Sequence, residues 1–487
     1  MKKRILAALL ASAAVLSFAG CSKDNGSSGD SSAADSSAAD SSAADSSAAD
    51  SSAADSSAAD DSSNAGDSAL SSEETLTILA WTGNSDIKNM VKLFCQEKGY
   101  SEDQIVIKGV GDNGEGARDQ YAQYLSGDGD ADLMCLEADW ILQYINDDTL
   151  VAPLSDLGIT EADYANAYDY TVQIGKDKNG VLKGASFQAA PGGFVYRTDL
   201  AEEYLGVKTP EEMQEKVKDW DTFMETAKTV YEASGNKTSL TATEGGLWQV
   251  YAANRTQPWV VDGKLVMDTA EDFFDVAKTM ADNHYLAGVP QWDPAWYQAG
   301  QDGTTMGYFF STWCMTNSDG SQLWQAEGVT KDDDGNLSGP TFGKYNICQG
   351  PTGYFWGGTW LAASTKCDTK DLATEFVKFF TTDADTMQKY AEFTGDFTNN
   401  KVAMQAIIDA GTNKNDLLGG QDQFAVLADG ANNIKMDGLI TEYDSKIKSC
   451  LNTAVQDYIA GTYATKEEAV DAFKKSVVAT FPDIVVE

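Results

Sequence analysis

Gly350-Pro351-Thr352-Gly353-Tyr354-Phe355-Trp356-Gly357-Gly358-Thr359-Trp360 gathers four glycines, one proline and four aromatic rings in one short run. Glycine permits backbone dihedrals closed to other residues and lets a ligand approach the chain. Proline fixes the direction in which the chain enters. Tyr354, Phe355 and Trp356 are consecutive, so they cannot all face one core. The run reads as a crossover between two lobes that also floors a cleft, with Trp356 or Trp360 open to a ligand. It also reads as a glycine-rich loop that buries its own aromatics, the usual fate of large rings.

A second run of this kind lies upstream. Val181 to Arg197 again sets a proline beside paired glycines, Pro191-Gly192-Gly193, and is taken as the first lobe crossing. Before it, apolar patterns of period two and of helical period alternate. Thr75–Trp81, Ile105–Ile107 and Asp132–Leu136 read as strands, and the stretches from Ile87, from Ala117 and from Ala138 as helices. That alternation predicts an α/β lobe with a largely parallel sheet, in which ligands sit at the carboxyl ends of the strands. Trp81 and the Glu137–Trp140 corner fall at two such ends. Further on, Gly245–Ala253 reads as a loop entering a helix with Trp248 near its start, Val260–Val266 as a hairpin, and Thr305–Trp313 as a strand. Trp292 and Trp296 flank Asp293-Pro294 in a loop, and from Lys370 onward the chain is mostly helix-patterned.

The chain has 487 residues, a formal net charge of −40 and a single histidine, His284. The acidity repels phosphate backbones and anionic lipid surfaces, which argues against nucleic-acid partners and basic-patch docking. One histidine leaves little room for a His-dependent triad or a multi-His metal centre. The seven cysteines contain no C-x-x-C pair. Six of them (Cys95, Cys135, Cys314, Cys348, Cys367 and Cys450) are spaced too widely to foretell disulfides, and free buried thiols fit as well.

Met1–Cys21 has a basic start, Lys2-Lys3-Arg4, an apolar run shorter than a membrane span, and Ala19-Gly20 before Cys21. It resembles a bacterial lipoprotein signal in which Cys21 carries the lipid, although Phe18 stands where leucine is usual. Ser31–Asp60 repeats the unit Ser-Ser-Ala-Ala-Asp and has no branched or aromatic apolar residue to offset chain entropy. Residues 22–74 are read as an acidic, disordered spacer. Roughly 410 residues follow, enough for two lobes with cores of their own.

Several runs along those residues together resemble one family, the extracellular solute-binding proteins of family 1, the capture subunits of carbohydrate ABC importers. They are Asp128–Met134, Tyr144–Leu157, Phe194–Gly206, Trp220–Lys228, Met306–Trp313, Gly357–Ser364 and Ala373–Phe380, in that order. No single run is specific; the order and spacing carry the likeness. Near Gly395 the family usually has a proline where this chain has Asp396-Phe397-Thr398. The resemblance implies a two-lobe periplasmic-binding-protein-like fold of type II, with hinge crossings and a ligand cleft between the lobes. The partition expected is 75–187 with 302–349 for one lobe and 188–301 with 350–487 for the other.

Binding, not catalysis, suits these residues. An indole covers the C–H face of a sugar ring, and carboxylates or amides pair its hydroxyls. The candidate ligand-binding set is Trp81, Asn84, Asp112, Glu137, Asp139, Trp140, Trp248, Trp296, Trp313, Trp356, Gly357, Gly358 and Trp360, with about half of the tryptophans expected to face the cleft and Trp220 to be structural. No cofactor, resident metal or catalytic group is expected. The implied partners are an oligosaccharide and the permease subunits of an importer, with a monomeric protein lipid-anchored at Cys21 on the outer face of the cell membrane. Three rivals remain open: a receptor for a polyamine, peptide or anion, a secreted glycoside hydrolase built on two carboxylates, and a calcium module at Asp128–Asp132 or Asp332–Asn336. Both acidic loops lack the sixth-position glycine and distal glutamate of a helix-loop-helix calcium site.

Overall fold

The computed structural model describes residues 74–486 apart from 113, 317 and 437. The expected signal segment, with Cys21, and the repeat spacer lie outside the described residues. The first strand, β1 (Leu76–Ala80), is buried on both faces, as its continuous apolar run requires. It pairs in parallel with β2 (Ile105–Gly109) and β3 (Leu133–Glu137). Between β1 and β2 runs the helix Ser85–Lys98. Asn84 caps it, its side chain accepting from the Ile87 amide at 3.0 Å, and Gly99 ends it at φ 78°. Ile87, Met90, Val91 and Phe94 form its buried stripe.

The chain continues through β4 (Val151–Ala152) and β5 (Gly184–Ser186), then crosses to a second sheet. That sheet holds β6 (Pro191–Arg197) and β7 (Ser239–Thr241). A short hairpin follows, β8 (Val260–Val261) with β9 (Lys264–Leu265), turning at Asp262-Gly263. Next come β10 (Thr305–Ser311), a second hairpin of β11 (Thr330–Lys331) with β12 (Leu337–Ser338), then β13 (Tyr345–Cys348), β14 (Tyr354–Phe355) and β15 (Thr359–Ser364). The first sheet has the order β2-β1-β3-β15-β4, with β5 also on β15. The second has the order β13-β6-β10-β7, with β14 also on β6.

These pairings redraw the expected partition. Segment 302–349, expected in the first lobe, instead lays β10 and β13 antiparallel to β6 of the second sheet. Residues 350–487 were assigned whole to the second lobe, yet β15 lies antiparallel to β3 in the first. The helix Lys370–Thr381 follows β15 and sets Phe376 and Phe379 against Phe94, with ring centroids 5.1 and 5.4 Å away. From 350 onward, β14, the helix Gln423–Asn433, which packs on β6, and the last helices, Asp444–Ile459 and Lys466–Thr480, which pack with the helix Thr269–Asp282, belong with the second sheet. An apolar strand pattern states that a strand is buried, not which sheet buries it.

The chain passes back to the second sheet between the helices Lys370–Thr381 and Gln423–Asn433, and two strand-to-strand crossings join the sheets, β5 to β6 through 187–190 and β14 to β15 through 356–358. They are tied to each other, for the Trp356 amide donates to the Ala190 carbonyl at 3.0 Å. The chain's own variation, Asp396-Phe397-Thr398, is laced to the first crossing. Ala189 donates to the Phe397 carbonyl at 3.1 Å, and Thr398 pairs with Gln188. All the described residues fall in one unit, Ser68–Glu487.

Candidate ligand-binding site

The loops after β1, β2 and β3 converge at the carboxyl ends of those strands. Thr82 donates to the Gly111 carbonyl at 2.8 Å, which joins the first two loops. A β-carbon on Gly114, at the start of the helix Gly114–Ser126, would lie 3.5 Å from Glu137 Cγ, so Glu137 rests against that helix start. Glu137 accepts from the Asp139 amide at 2.9 Å through Oε2. Across from it come the aromatics of the second crossing. Gly357 sits at φ 75°, and a β-carbon there would lie 3.1 Å from Trp313 Nε1 and 3.8 Å from Glu137 Oε1. Gly358 is at φ 104° with the Trp360 ring 3.3 Å from where a β-carbon would stand. Both conformations favour glycine, and together they bring a carboxylate of the first sheet beside indoles carried by the second.

A cavity of about 320 Å3 opens beside this junction. Trp356, Phe355 and Gly357 form one wall; Gln249, Ala252 and Arg255, on and after the helix Glu244–Tyr251, form the next. Asn433, Lys435, Met436 and Ile440 close the far side, with Asp139, Asp444 and Lys448 at the edge. Arg255 pairs with Asp444 at 2.9 Å and stacks over Trp259 at 4.7 Å from the ring centre. Lys448 pairs with Asp139, and Arg118 donates to Ser445 Oγ at 2.9 Å. The last two contacts fasten first-sheet elements to the helix Asp444–Ile459.

The expected tryptophans divide. Trp313 and Trp356 are half-buried at the junction, their rings at 79° with centroids 5.7 Å apart. Trp81 is half-buried at the end of β1. Trp140, Trp248, Trp296 and Trp360 are core residues, at most 2% exposed, and this corrects their assignment as open platforms. Trp140 lies edge-on to Tyr121 and Tyr144, Trp296 to Tyr308, and Trp360 donates to the Thr171 carbonyl at 2.9 Å. Trp248 backs the cavity wall from within the second core, packed on Phe273 and Trp259. Asn84 is buried at its helix cap, whereas Asp112 is exposed with its carbonyl 3.3 Å from the β-carbon position of Gly83. Trp220 packs half-buried on Tyr251, a structural place. Near strand ends an alternating pattern cannot tell an inward ring from an outward one, because a single bend reverses the face.

No pattern discloses Trp292 next to the junction, nor Arg255, Lys448, 433–436 and 440 at the cavity. Trp292 alone had a local signal, an aromatic beside Asp-Pro. The others come from segments whose spacing says nothing about the cleft. The acidic loops are put to use by the chain itself. Asp132 accepts from Thr77 at 2.8 Å and from Asp368 at 3.1 Å, and Asp332 from Asp334 at 3.0 Å and Asn336 at 2.8 Å.

Behind the junction lies a buried acid pair. Gln188, in the first crossing, donates to both Asp86 and Asp396, and Thr312 donates to Asp396 at 2.8 Å. Burial, then the charge of Asp396, raises the Asp86 carboxyl to about 7, and burial raises that of Asp396.

The sequence profile of the bacterial extracellular solute-binding proteins matches residues 100–416. No curated protein matches the chain. Among solved structures, an extracellular solute-binding protein of family 1 superposes with a TM-score of 0.70 at 16% identity, covering 83% of this chain and 100% of that one. The ABC-transporter-associated binding protein of B. animalis subsp. lactis Bl-04, in complex with β-1,6-galactobiose, gives 0.65 at 18% identity over 85% and 99%. The galacto-N-biose/lacto-N-biose I-binding protein of Bifidobacterium longum, in complex with lacto-N-biose, gives 0.61 at 16% identity over 85% and 98%. At such identities the likeness concerns the fold, that of the two-lobe binding proteins. With two sheets, two crossings and a profile that covers most of its length, the chain belongs to the bacterial extracellular solute-binding protein family.

Proposed function

We propose that this protein captures an oligosaccharide between its two sheets and passes it, unaltered, to the permease of an ABC importer. The observation that carries the reading is the junction itself. Half-buried Trp313 lies across Gly357 from Glu137, and half-buried Trp356 lines a cavity of about 320 Å3 beside them. Rings stack on the indoles, and the carboxylates of Glu137 and Asp139 with the amides of Gln249 and Asn433 pair hydroxyls. Sugar complexes of two structural neighbours support this ligand class. Asp444 and Asp139 at the cavity are already paired with Arg255 and Lys448, so its lining carries no excess negative charge for a polyamine. The family binds and hands on solutes, so the hydrolase reading has no support.

Cys21 anchors the protein through a lipid, and 22–74 holds it off the membrane. Among the described residues no helix is long and apolar enough to cross a membrane. A melting-temperature screen with β-1,6-galactobiose, lacto-N-biose, maltose and spermidine tests the ligand class. A sugar at a hundred times its Kd adds about 2.7 kcal/mol of stability. A rise with spermidine and none with any sugar sinks the proposal. Deleting Ser31–Asp60 leaves the affinity of the soluble form unchanged if the segment is a spacer, and a large loss refutes that role.

A further inference from the structure

Trp292 stands at φ 72°, in the left-handed region that a bulky side chain rarely enters. It is also 40% exposed, one of the few large apolar side chains left open to solvent among the described residues. Both features cost stability, and strain of this kind concentrates where ligands are held. The conformation is fixed from both sides. Asp293 donates to the Pro290 carbonyl at 3.3 Å, and Trp296 to the Asp293 carbonyl at 2.9 Å as Pro294 opens the helix Pro294–Asp302. The neighbouring Gln291 amide rests on the start of the helix Glu244–Tyr251, with Oε1 3.2 Å from the β-carbon position of Gly245.

So held, the indole meets Trp296 at 4.9 Å, Trp356 at 5.5 Å and Trp313 at 6.0 Å between ring centroids. Trp356 is a wall of the cavity; Trp292 is outside it. The aromatic surface thus continues beyond the cavity lining, and its most exposed member is the strained one.

We propose that Trp292 is an outer stacking subsite that selects for saccharide length: with one ring seated in the cavity against Trp356, the next lies on Trp292. The inference rests on the carbohydrate reading and adds to it the residue that makes a longer chain bind better than a single ring. Its side chain touches ligand only beyond the first ring, so its removal acts on length and not on capture of a monosaccharide.

The test is calorimetric titration of the wild type, Trp292→Ala and Trp292→Phe with galactose, β-1,6-galactobiose and β-1,6-galactotriose, and with glucose, maltose and maltotriose. In the series that binds, Trp292→Ala lowers affinity for the longer saccharides about tenfold and leaves the monosaccharide within about twofold, and Trp292→Phe restores most of the loss. Trp292→Gly, which accepts the left-handed backbone, controls for folding and shows the same loss with length. Equal losses for one ring and three, or none, overturn the subsite while the carbohydrate reading stands. Failure of the wild type to bind any of the six or lacto-N-biose overturns both.

Discussion

The Trp313 indole donates its N–H to the Trp356 carbonyl at 2.7 Å. One ring is fixed in place by the backbone of the other, and that backbone belongs to the second crossing. Trp356 donates in turn to Ala190 in the first crossing. The two rings and the two crossing segments are therefore one hydrogen-bonded assembly, so whatever orders the rings acts directly on the segments that join the sheets.

Replacing Trp356 or Trp313 by alanine weakens saccharide binding by about 1–3 kcal/mol each, the range for a lost ring stack. Because the two are bonded, the double variant loses less than the sum. Titration calorimetry on both single variants and the double measures this; strict additivity contradicts the bonded pair.

Trp140→Ala and Trp360→Ala behave differently. Both indoles are about 1% exposed, and truncating a buried large aromatic costs about 3–5 kcal/mol of stability. Chemical denaturation shows that loss, while the Kd of protein still folded stays near the wild-type value. A selective loss of affinity at unchanged stability returns these residues to the cleft.

Stability falls as the solution becomes alkaline. Glu327 is fully buried, with Oε1 accepting from Gly343 at 3.1 Å and Oε2 unpartnered, and burial pushes its carboxyl from 4.5 to about 9. A group raised in the folded state holds its proton more tightly there than in the unfolded chain. Its contribution is therefore complete below the unfolded pKa and lost as pH climbs through the folded one. Glu327→Gln flattens the melting curve between pH 4.5 and 9, and Asp86→Asn flattens it between 3.8 and about 7. Melting temperatures across pH 4 to 9 check both; a slope that each variant leaves intact rejects the assignment.

The six cysteines within the described residues are unpaired and buried. Burial raises Cys135, Cys314 and Cys348 well above the usual thiol range. A thiol reagent labels none of the six in the native protein and all six after unfolding, and a reductant leaves the melting temperature unchanged. Fast native labelling, or a drop on reduction, contradicts the buried thiols.

Much of the fold was legible locally. The run Leu76–Ala80, the Asn84 cap and the Ile87, Met90, Val91 and Phe94 stripe are set by near neighbours, so period and capping chemistry reveal them. The crossing at 356–358 announced itself by glycine, because Gly357 and Gly358 take φ of 75° and 104°, a backbone that other residues rarely adopt. Asp396 was flagged as a departure from the family, but its pairing with Gln188, 208 residues away, had no local trace.

The sequence alone determined that the chain alternates strand and helix, carries an acidic surface and owns a large stock of aromatic rings. Only the tertiary structure decided which sheet took 302–349 and 359–364, which indoles went into cores, and that 433–436 and 440 line the cavity with Trp292 next to Trp356. The reason is one of range. Dihedral preference and hydrophobic period act over a few residues, whereas the face a ring presents and the partner a strand chooses depend on surfaces brought together from a hundred or more residues apart.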